Sequence, residues 1–173
     1  MLKRTIFITL LTLAPILAMA SQSRPRQVND RLLPEELNET ETQTILREQR
    51  PRPHVEAALK VSDARINDAL KLVQESQYKA AAEDFDVYAA LIRYADHYTR
   101  KLPETQSKDR NYCLKKIEQA IFKQSRALEA VVREMPYADR DATERAVNEI
   151  KKIRLRAIND LLGGGGVINS SNE

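Results

Sequence analysis

Larger side chains and alanines recur at steps of three and four residues between Gln77 and Leu102. The positions of this stripe are Tyr78, Ala81, Phe85, Tyr88, Ile92, Ala95, Thr99 and Leu102. Such spacing places the side chains on one face of a long α-helix, and the stripe is weak only at Thr99. Other helices must cover it, because an amphipathic helix is stabilised mainly by tertiary packing. The pattern therefore predicts a helical domain organised around this segment.

A second stripe precedes it, in a helix from about His54 to Ser76. Its positions are Val55, Leu59, Ser62, Ile66, Ala69 and Val73. Continued past Ser76, this register would miss the next stripe by a rotation of roughly 100–200° at 3.6 residues per turn. We therefore expect a tight turn at Glu75-Ser76-Gln77, with one kinked continuous helix as the alternative.

Two more helices follow Pro103, at about 107–135 and up to about 162. The first is predicted to bury Leu114, Ile117, Ile121, Leu128, Val131 and Met135, and the second Ala146, Ile150, Ile153, Ala157 and Leu161. Asp139 or Asp141 is expected to cap the last helix, and the tetraglycine Gly163–Gly166 to end it. Four helices with short links, in 54–162, favour an all-α antiparallel four-helix bundle with coiled-coil-like seams.

The N-terminal residues 1–20 have the pattern of a secretory signal peptide. Lys3 and Arg4 precede the apolar run Thr5–Leu17, and Ala18-Met19-Ala20 is an A-x-A cleavage site. The alternative is an uncleaved membrane anchor, but the run is shorter than the roughly 20 residues that a spanning helix needs. We expect an exported protein, periplasmic or secreted, with no transmembrane segment after cleavage.

Residues 21–53 are predicted to form a flexible arm with a short helix near 34–49. Pro34 and the acids after it favour a helix start, and Pro51-Arg52-Pro53 is expected to stop that helix and form an extended link. Residues 163–173 are predicted to be a disordered, glycine-rich tail. The arm Arg50–Pro53 is also a candidate to fold onto a partner.

Charge and cysteine content narrow the class of protein. The chain has a formal charge of +3, and loss of Lys3 and Arg4 with the leader lowers it to +1. Because basic and acidic residues are present in nearly equal numbers, the chain is not expected to be a dedicated nucleic-acid binder. Cys113 is the only cysteine, so no internal disulfide can form. It is interpreted as a buried helix residue, with an intermolecular disulfide as the alternative.

No catalytic, cofactor or metal motif is present in the sequence, so no such residue, and no enzyme, is predicted. All four glycines lie at 163–166, which excludes a phosphate loop before them. A haem or metal carrier is the second hypothesis, with His97 and Met135 as candidate ligands. A fully formed third helix would place these two at opposite ends of the bundle, and neither C-x-x-C-H nor E-x-x-H occurs.

Three charged or polar motifs are candidate binding or modification sites. Glu83-Asp84-Asp86 is interpreted as a solvated face rather than a cation site. The basic run Lys151–Arg156 could touch anionic lipid or polysaccharide, but we interpret it as a solvated face that complements the helix dipole. Asn38-Glu39-Thr40 matches an N-glycosylation sequon, a match that arises often by chance.

Two local resemblances exist. Ala69-Leu70, Glu75–Tyr78 and Ala81 resemble the inter-helix turn of a tetratricopeptide unit, but the pattern does not recur at 34 residues and the first helix is too long. The whole segment 54–102, with Ala64-Arg65, Ala69 and Leu72 before a tyrosine-containing helix, is similar to helical hairpins of uncharacterised secreted bacterial proteins. That resemblance implies an exported bacterial protein and carries over no functional residue.

These observations favour a non-catalytic protein-interaction or scaffold role in the bacterial cell envelope. The expected partner is another protein or a second copy of the chain, rather than nucleic acid. The alternative is a periplasmic helical bundle that carries a small ligand, haem or metal.

Overall fold

The computed structural model describes residues 33–163, which form five packed α-helices and no strand. The helices are α1 (Glu39–Leu46), α2 (Pro51–Gln74), α3 (Tyr78–Arg100), α4 (Ser107–Glu134) and α5 (Tyr137–Leu161), and a 3-10 turn at Glu104–Gln106 precedes α4. The predicted all-helical class is confirmed. The predicted signal peptide, the residues 21–32 of the arm and the tail from Gly164 lie outside the described residues.

The helix α2 packs along α3, α4 packs on both α2 and α5, and α3 also contacts α5. The predicted stripes meet in the main core. All predicted positions of α2 and α4 are buried, and those of α3 are buried except the half-buried Tyr78. In α5 the predicted inner face is off by one residue near its start, because Thr143 and Val147 are buried while Ala146 and Leu161 are only partly covered.

A turn of three residues joins α2 to α3, as the change of register predicted. The backbone N–H of Ser76 donates to the carbonyl of Val73, and that of Gln77 donates to the carbonyl of Leu72. This pair of bonds is the Schellman motif that closes a helix C-terminus. Ser76 takes the left-handed conformation of that motif, with φ 61°. The predicted tight turn is confirmed, and the kinked continuous helix is wrong.

The proline-containing link between the first two helices is not extended, contrary to our expectation. Pro51 occupies the first position of α2, where proline is well tolerated because the N–H there has no partner within the helix. Arg52 then pairs with Asp109 of α4 at 2.7 Å. Pro51–Pro53 is therefore the first turn of α2, with the exposed Arg50 as its N-cap, and not an extended arm.

The start of α5 also differs from the prediction. The helix begins at Tyr137 directly after Pro136, whose carbonyl accepts from the N–H groups of Asp139 and Arg140. Asp139 and Asp141 thus lie inside the helix and do not cap it. At the other end, α5 stops at Leu161 and Gly163 takes φ 92°, as expected for glycine after a helix.

The short helix α1 docks on α2 and α3. It begins at Glu39 rather than Pro34, because Asn38 and Glu41 form a capping box in which each side chain accepts from the other residue's backbone N–H. Ile45 is fully buried in a second apolar cluster with Ala58, Val61, Val87, Leu91 and Tyr94. The helix α3 therefore buries two faces, and the stripe analysis identified only one.

A buried histidine joins α2 to the segment after α1. His54 is fully buried, its Nδ1 lies 2.7 Å from the carbonyl oxygen of Glu48, and its Nε2 lies 2.5 Å from the Tyr94 hydroxyl. Tyr98 stacks on the His54 ring with centroids 4.4 Å apart. These contacts fix the path of the chain between α1 and α2.

No helix within 33–163 has an apolar stretch that could cross a membrane.

Candidate functional site

The outer face of α4 carries a basic stripe with one aromatic residue near its middle. Its members are Lys108, Lys115, Gln119, Phe122, Arg126 and Arg133, and all six are exposed. At 100° per residue they lie within an arc of about 60°, on the side opposite the buried seam. We refer to these six residues as the α4 outer face. It extends about 37 Å along the helix.

The charges of the α4 outer face are mostly uncompensated. In the described part of the chain, Lys108, Lys115 and Arg126 form no ion pair, while the Arg133 guanidinium pairs with the neighbouring Glu134. The basic residue beside the stripe, Lys123, is 3.6 Å from Asp63 and largely exposed. The face therefore presents positive charge over most of its length, and a negatively charged surface is its electrostatic complement.

Phe122 is the apolar element of this face. It is 61% exposed, although phenylalanine is among the residues most often buried. The chain contains three phenylalanines. The Arg154 guanidinium of α5 lies 4.7 Å from the ring centroid and also binds Glu118 at 2.9 Å, so the ring is held from one side. Phe122 is thus an exposed ring held against Arg154 on a face that carries lysines and arginines, and aromatic residues and arginine are enriched in binding hot spots.

The sequence analysis did not identify this face, although its signal is present in the sequence. Lys108, Lys115 and Phe122 are spaced by seven residues, and so are Gln119, Arg126 and Arg133. A spacing of seven keeps residues on one side of a helix. The face could have been found by examining the residues that the buried seam leaves outside.

The two candidate haem ligands lie in different environments. Met135 is 1% exposed and belongs to the main core, whereas His97 is exposed on α3. No group of three or more metal-ligating side chains occurs among residues 33–163. No contact within residues 33–163 brings His97 and Met135 together.

Cys113 is a buried residue of α4, as the sequence analysis predicted. Its Sγ lies 3.7 Å from the carbonyl oxygen of Pro51, at the contact between α4 and the start of α2. Burial raises the pKa of the thiol to about 11, and the nearby Asp109 carboxylate adds to the effect. A buried thiol that stays protonated is unreactive.

The acidic and basic runs are divided between several contacts. Asp84 turns inward to bind Arg65, while Glu83 and Asp86 are exposed, so the acidic run is only partly a solvated face. In the basic run, Arg154 binds Glu118 and Arg156 binds Asp96 at 3.2 Å. Neither arginine lies in the last turn of α5, so the helix dipole does not explain them. They join α5 to its neighbours.

The sequon asparagine has a structural use. Asn38 accepts a hydrogen bond from the Glu41 backbone N–H at 2.9 Å as the cap of α1, so its side-chain oxygen is already engaged.

Comparisons of the chain with protein-family models, with curated proteins and with solved structures found no match.

Proposed function

We propose that this protein is an exported, non-catalytic interaction protein of the bacterial cell envelope, and that it binds an acidic segment of a partner protein along the α4 outer face. Export is supported by the leader pattern of residues 1–20. The interaction role is supported by one observation above the others: unpaired cations flank an exposed, laterally held Phe122 on a single helix face.

The chemistry of the face favours an acidic protein over other occupants. Lysine and arginine attract carboxylates at long range, while burial of Phe122 needs an apolar side chain between those carboxylates. A peptide segment with glutamate or aspartate around an apolar residue supplies both. A membrane surface would be contacted better by several apolar residues, and this face has only one.

The finer architecture is part of the same proposal. We propose that α2, α3, α4 and α5 form an antiparallel four-helix bundle, with α1 added at the side. Support comes from the three-residue link between α2 and α3 and from the direct passage from α4 through Met135 and Pro136 into α5. Links this short favour neighbours that run in opposite directions.

Binding of a labelled peptide tests the interaction role. The probe is a fluorescent peptide of alternating glutamate and leucine residues, titrated by polarisation with the protein expressed from its full-length coding sequence. We expect saturable binding that weakens as salt is added, since surface charges are screened. The double variant Lys115→Glu/Arg126→Glu is expected to bind at least about tenfold more weakly, and Phe122→Ala also more weakly.

A matched control separates this face from general charge attraction. Lys60→Glu/Lys71→Glu makes the same change in net charge at two exposed positions of α2 and is expected to leave the affinity unchanged. Equal losses in both double variants would overturn the proposal. So would binding to phosphatidylglycerol vesicles without binding to the peptide. Light scattering that shows association of copies through this face, lost in Lys115→Glu/Arg126→Glu, would replace the foreign partner by a second copy.

A further inference from the structure

A cleft of about 480 Å³ lies between α3 and α5, away from the α4 outer face. Its apolar lining includes Ala90, Tyr94 and Ile153, and Pro34 from the segment before α1 also lines it. Tyr94 and Ile153 are nearly fully buried, so they form the deep part of the cleft. The volume falls within the range of small-molecule sites, about 300–1,000 Å³.

Three arginines from two helices surround this apolar part. Arg93 and Arg100 lie on α3 and Arg156 lies on α5. Arg93 donates from Nη1 to Glu149 at 2.9 Å, and Arg156 donates from Nη2 to Asp96 at 3.2 Å. Each guanidinium carries five N–H donors, so the ion pairs hold Arg93 and Arg156 in place and leave most of their donors for a ligand.

The carboxylates around the cleft are engaged by its arginines. Asp96 is nearly buried, and both of its carboxylate oxygens are engaged, one by Arg100 at 2.9 Å and the other by Arg156. Glu149, the other acid in the lining, pairs with Arg93, and Arg100 also binds Asp160 at 2.6 Å, so Arg100 is the most fully engaged of the three arginines. The side chains of Arg93 and Arg156 are 44% and 57% exposed, so an anion placed between the two helices would meet their remaining N–H donors.

We infer that the cleft between α3 and α5 binds a small organic anion that has a carboxylate or phosphate head and an apolar body. Arg93 and Arg156 hold the head from opposite walls, and Ala90, Tyr94 and Ile153 cover the body. The exposed His97 on the rim offers a further polar contact to the head. This inference uses other residues than the proposed protein interaction and does not depend on it.

Titration with octanoate, followed by NMR, tests the inference on the full-length expressed protein. We expect saturable shifts at Ala90, Tyr94 and Ile153. Arg93→Gln and Arg156→Gln are each expected to weaken the affinity about tenfold. Arg93→Gln loses only an exposed pair, so it should fold even where Arg156→Gln does not. Lys152→Gln, an exposed position of α5 outside the cleft, should leave the affinity unchanged.

Inorganic phosphate is the second probe, because it has a head and no apolar body. We expect it to bind much more weakly than octanoate and to compete with it. Absence of saturable shifts with octanoate, shifts confined to other surfaces, or equal weakening by Lys152→Gln would overturn the inference. Phosphate that binds as tightly as octanoate would contradict the role given to the apolar lining.

Discussion

Tyr88 and Gln124 carry polar atoms into the core between α2, α3 and α4. The Tyr88 hydroxyl donates to Gln124 Oε1 at 3.0 Å, and Gln124 Nε2 donates to Asp63 Oδ1 at 3.0 Å. Gln124 occupies the seam position between Ile121 and Leu128, so its place on the inner face follows from the helical period. Its burial could not be predicted, because a buried amide is stable only with partners from other helices, and one sequence does not reveal those.

The buried Tyr88 predicts a loss of stability in alkali. Burial, with the nearby Asp63 carboxylate as a smaller cause, raises the pKa of Tyr88 well above its ordinary value of 10.0. A raised pKa means that its contribution is complete below pH 10 and is lost above it, where the unfolded chain ionises first. The difference in unfolding free energy between wild type and Tyr88→Phe should shrink by about 1 kcal/mol from pH 9 to 11. A difference that does not change with pH would contradict this.

Phe85 tests the assignment of the inner face. It is 2% exposed in the main core, so Phe85→Ala should lower the unfolding free energy by about 3–5 kcal/mol through lost burial and a cavity. Lys108→Ala at an exposed position should cost almost nothing. Urea melts of both variants measure the two values, and equal small losses would show that the inner face is wrongly assigned.

At the level of the helices, the stripes predicted the four long elements to within a few residues, but the ends depended on local hydrogen bonds. In the sequence, both Pro51 and Pro136 were expected to end the helix that precedes them. The structure uses Pro51 to begin α2 and Pro136 to precede α5, since a proline nitrogen loses no bond in a first helical turn. The start of α1 depends on the capping box of Asn38 and Glu41, whereas the sequence analysis placed the start at Pro34.

Ser76 predicts a stabilising substitution at the α2–α3 turn. Its φ of 61° is strained for a residue with a Cβ, and glycine adopts it at little cost. Ser76→Gly should raise the unfolding free energy by about 1 kcal/mol. Gln77→Gly is the matched control, since Gln77 has φ −90° and gains nothing from glycine. A thermal melt in which Ser76→Gly is less stable than wild type would contradict the turn geometry.

The docking of α1 depends on Arg65 of α2. Arg65 Nη2 binds Glu41 Oε2 of α1 at 2.6 Å, and Nη1 binds Asp84 of α3. Burial alone would raise the Glu41 pKa, but the Arg65 guanidinium and the Asn38 N–H hold it below its ordinary value of 4.5. A lowered pKa stabilises docking above about pH 4.5, and this stabilisation is lost as pH falls further.

Hydrogen exchange measures this dependence. Arg65→Ala should lower the protection factors of the amides across Glu39–Leu46, which compare the observed rate with the intrinsic rate at the same pH, while those of α4 stay the same. Acid below pH 4 should lower the protection factors of α1 likewise in the wild type. Lys71→Ala, at an exposed position on the same helix, is the control. Exchange in α1 that does not respond to Arg65→Ala would mean that Ile45 burial alone holds the helix.

For the whole molecule, the sequence predicted an all-helical domain because buried stripes at helical spacing have few other solutions. It did not predict which outer faces stay uncovered, because that depends on how the helices pack on one another. The seven-residue spacing of the α4 outer face is present in the sequence, but the packing of α2, α3 and α5 against α4 is what shows that they leave this face uncovered. A surface of Phe122 among lysines and arginines then became the best candidate for binding.

Site-specific photo-crosslinking in living cells tests that surface most directly. A photoreactive phenylalanine analogue replaces Phe122 in one strain and the exposed Ala64 of α2 in another. We expect position 122, and not 64, to capture one protein through an acidic segment identified by mass spectrometry. Lys115→Glu/Arg126→Glu should abolish the capture. Equal capture from both positions, or capture that survives the charge reversal, would contradict binding through the α4 outer face.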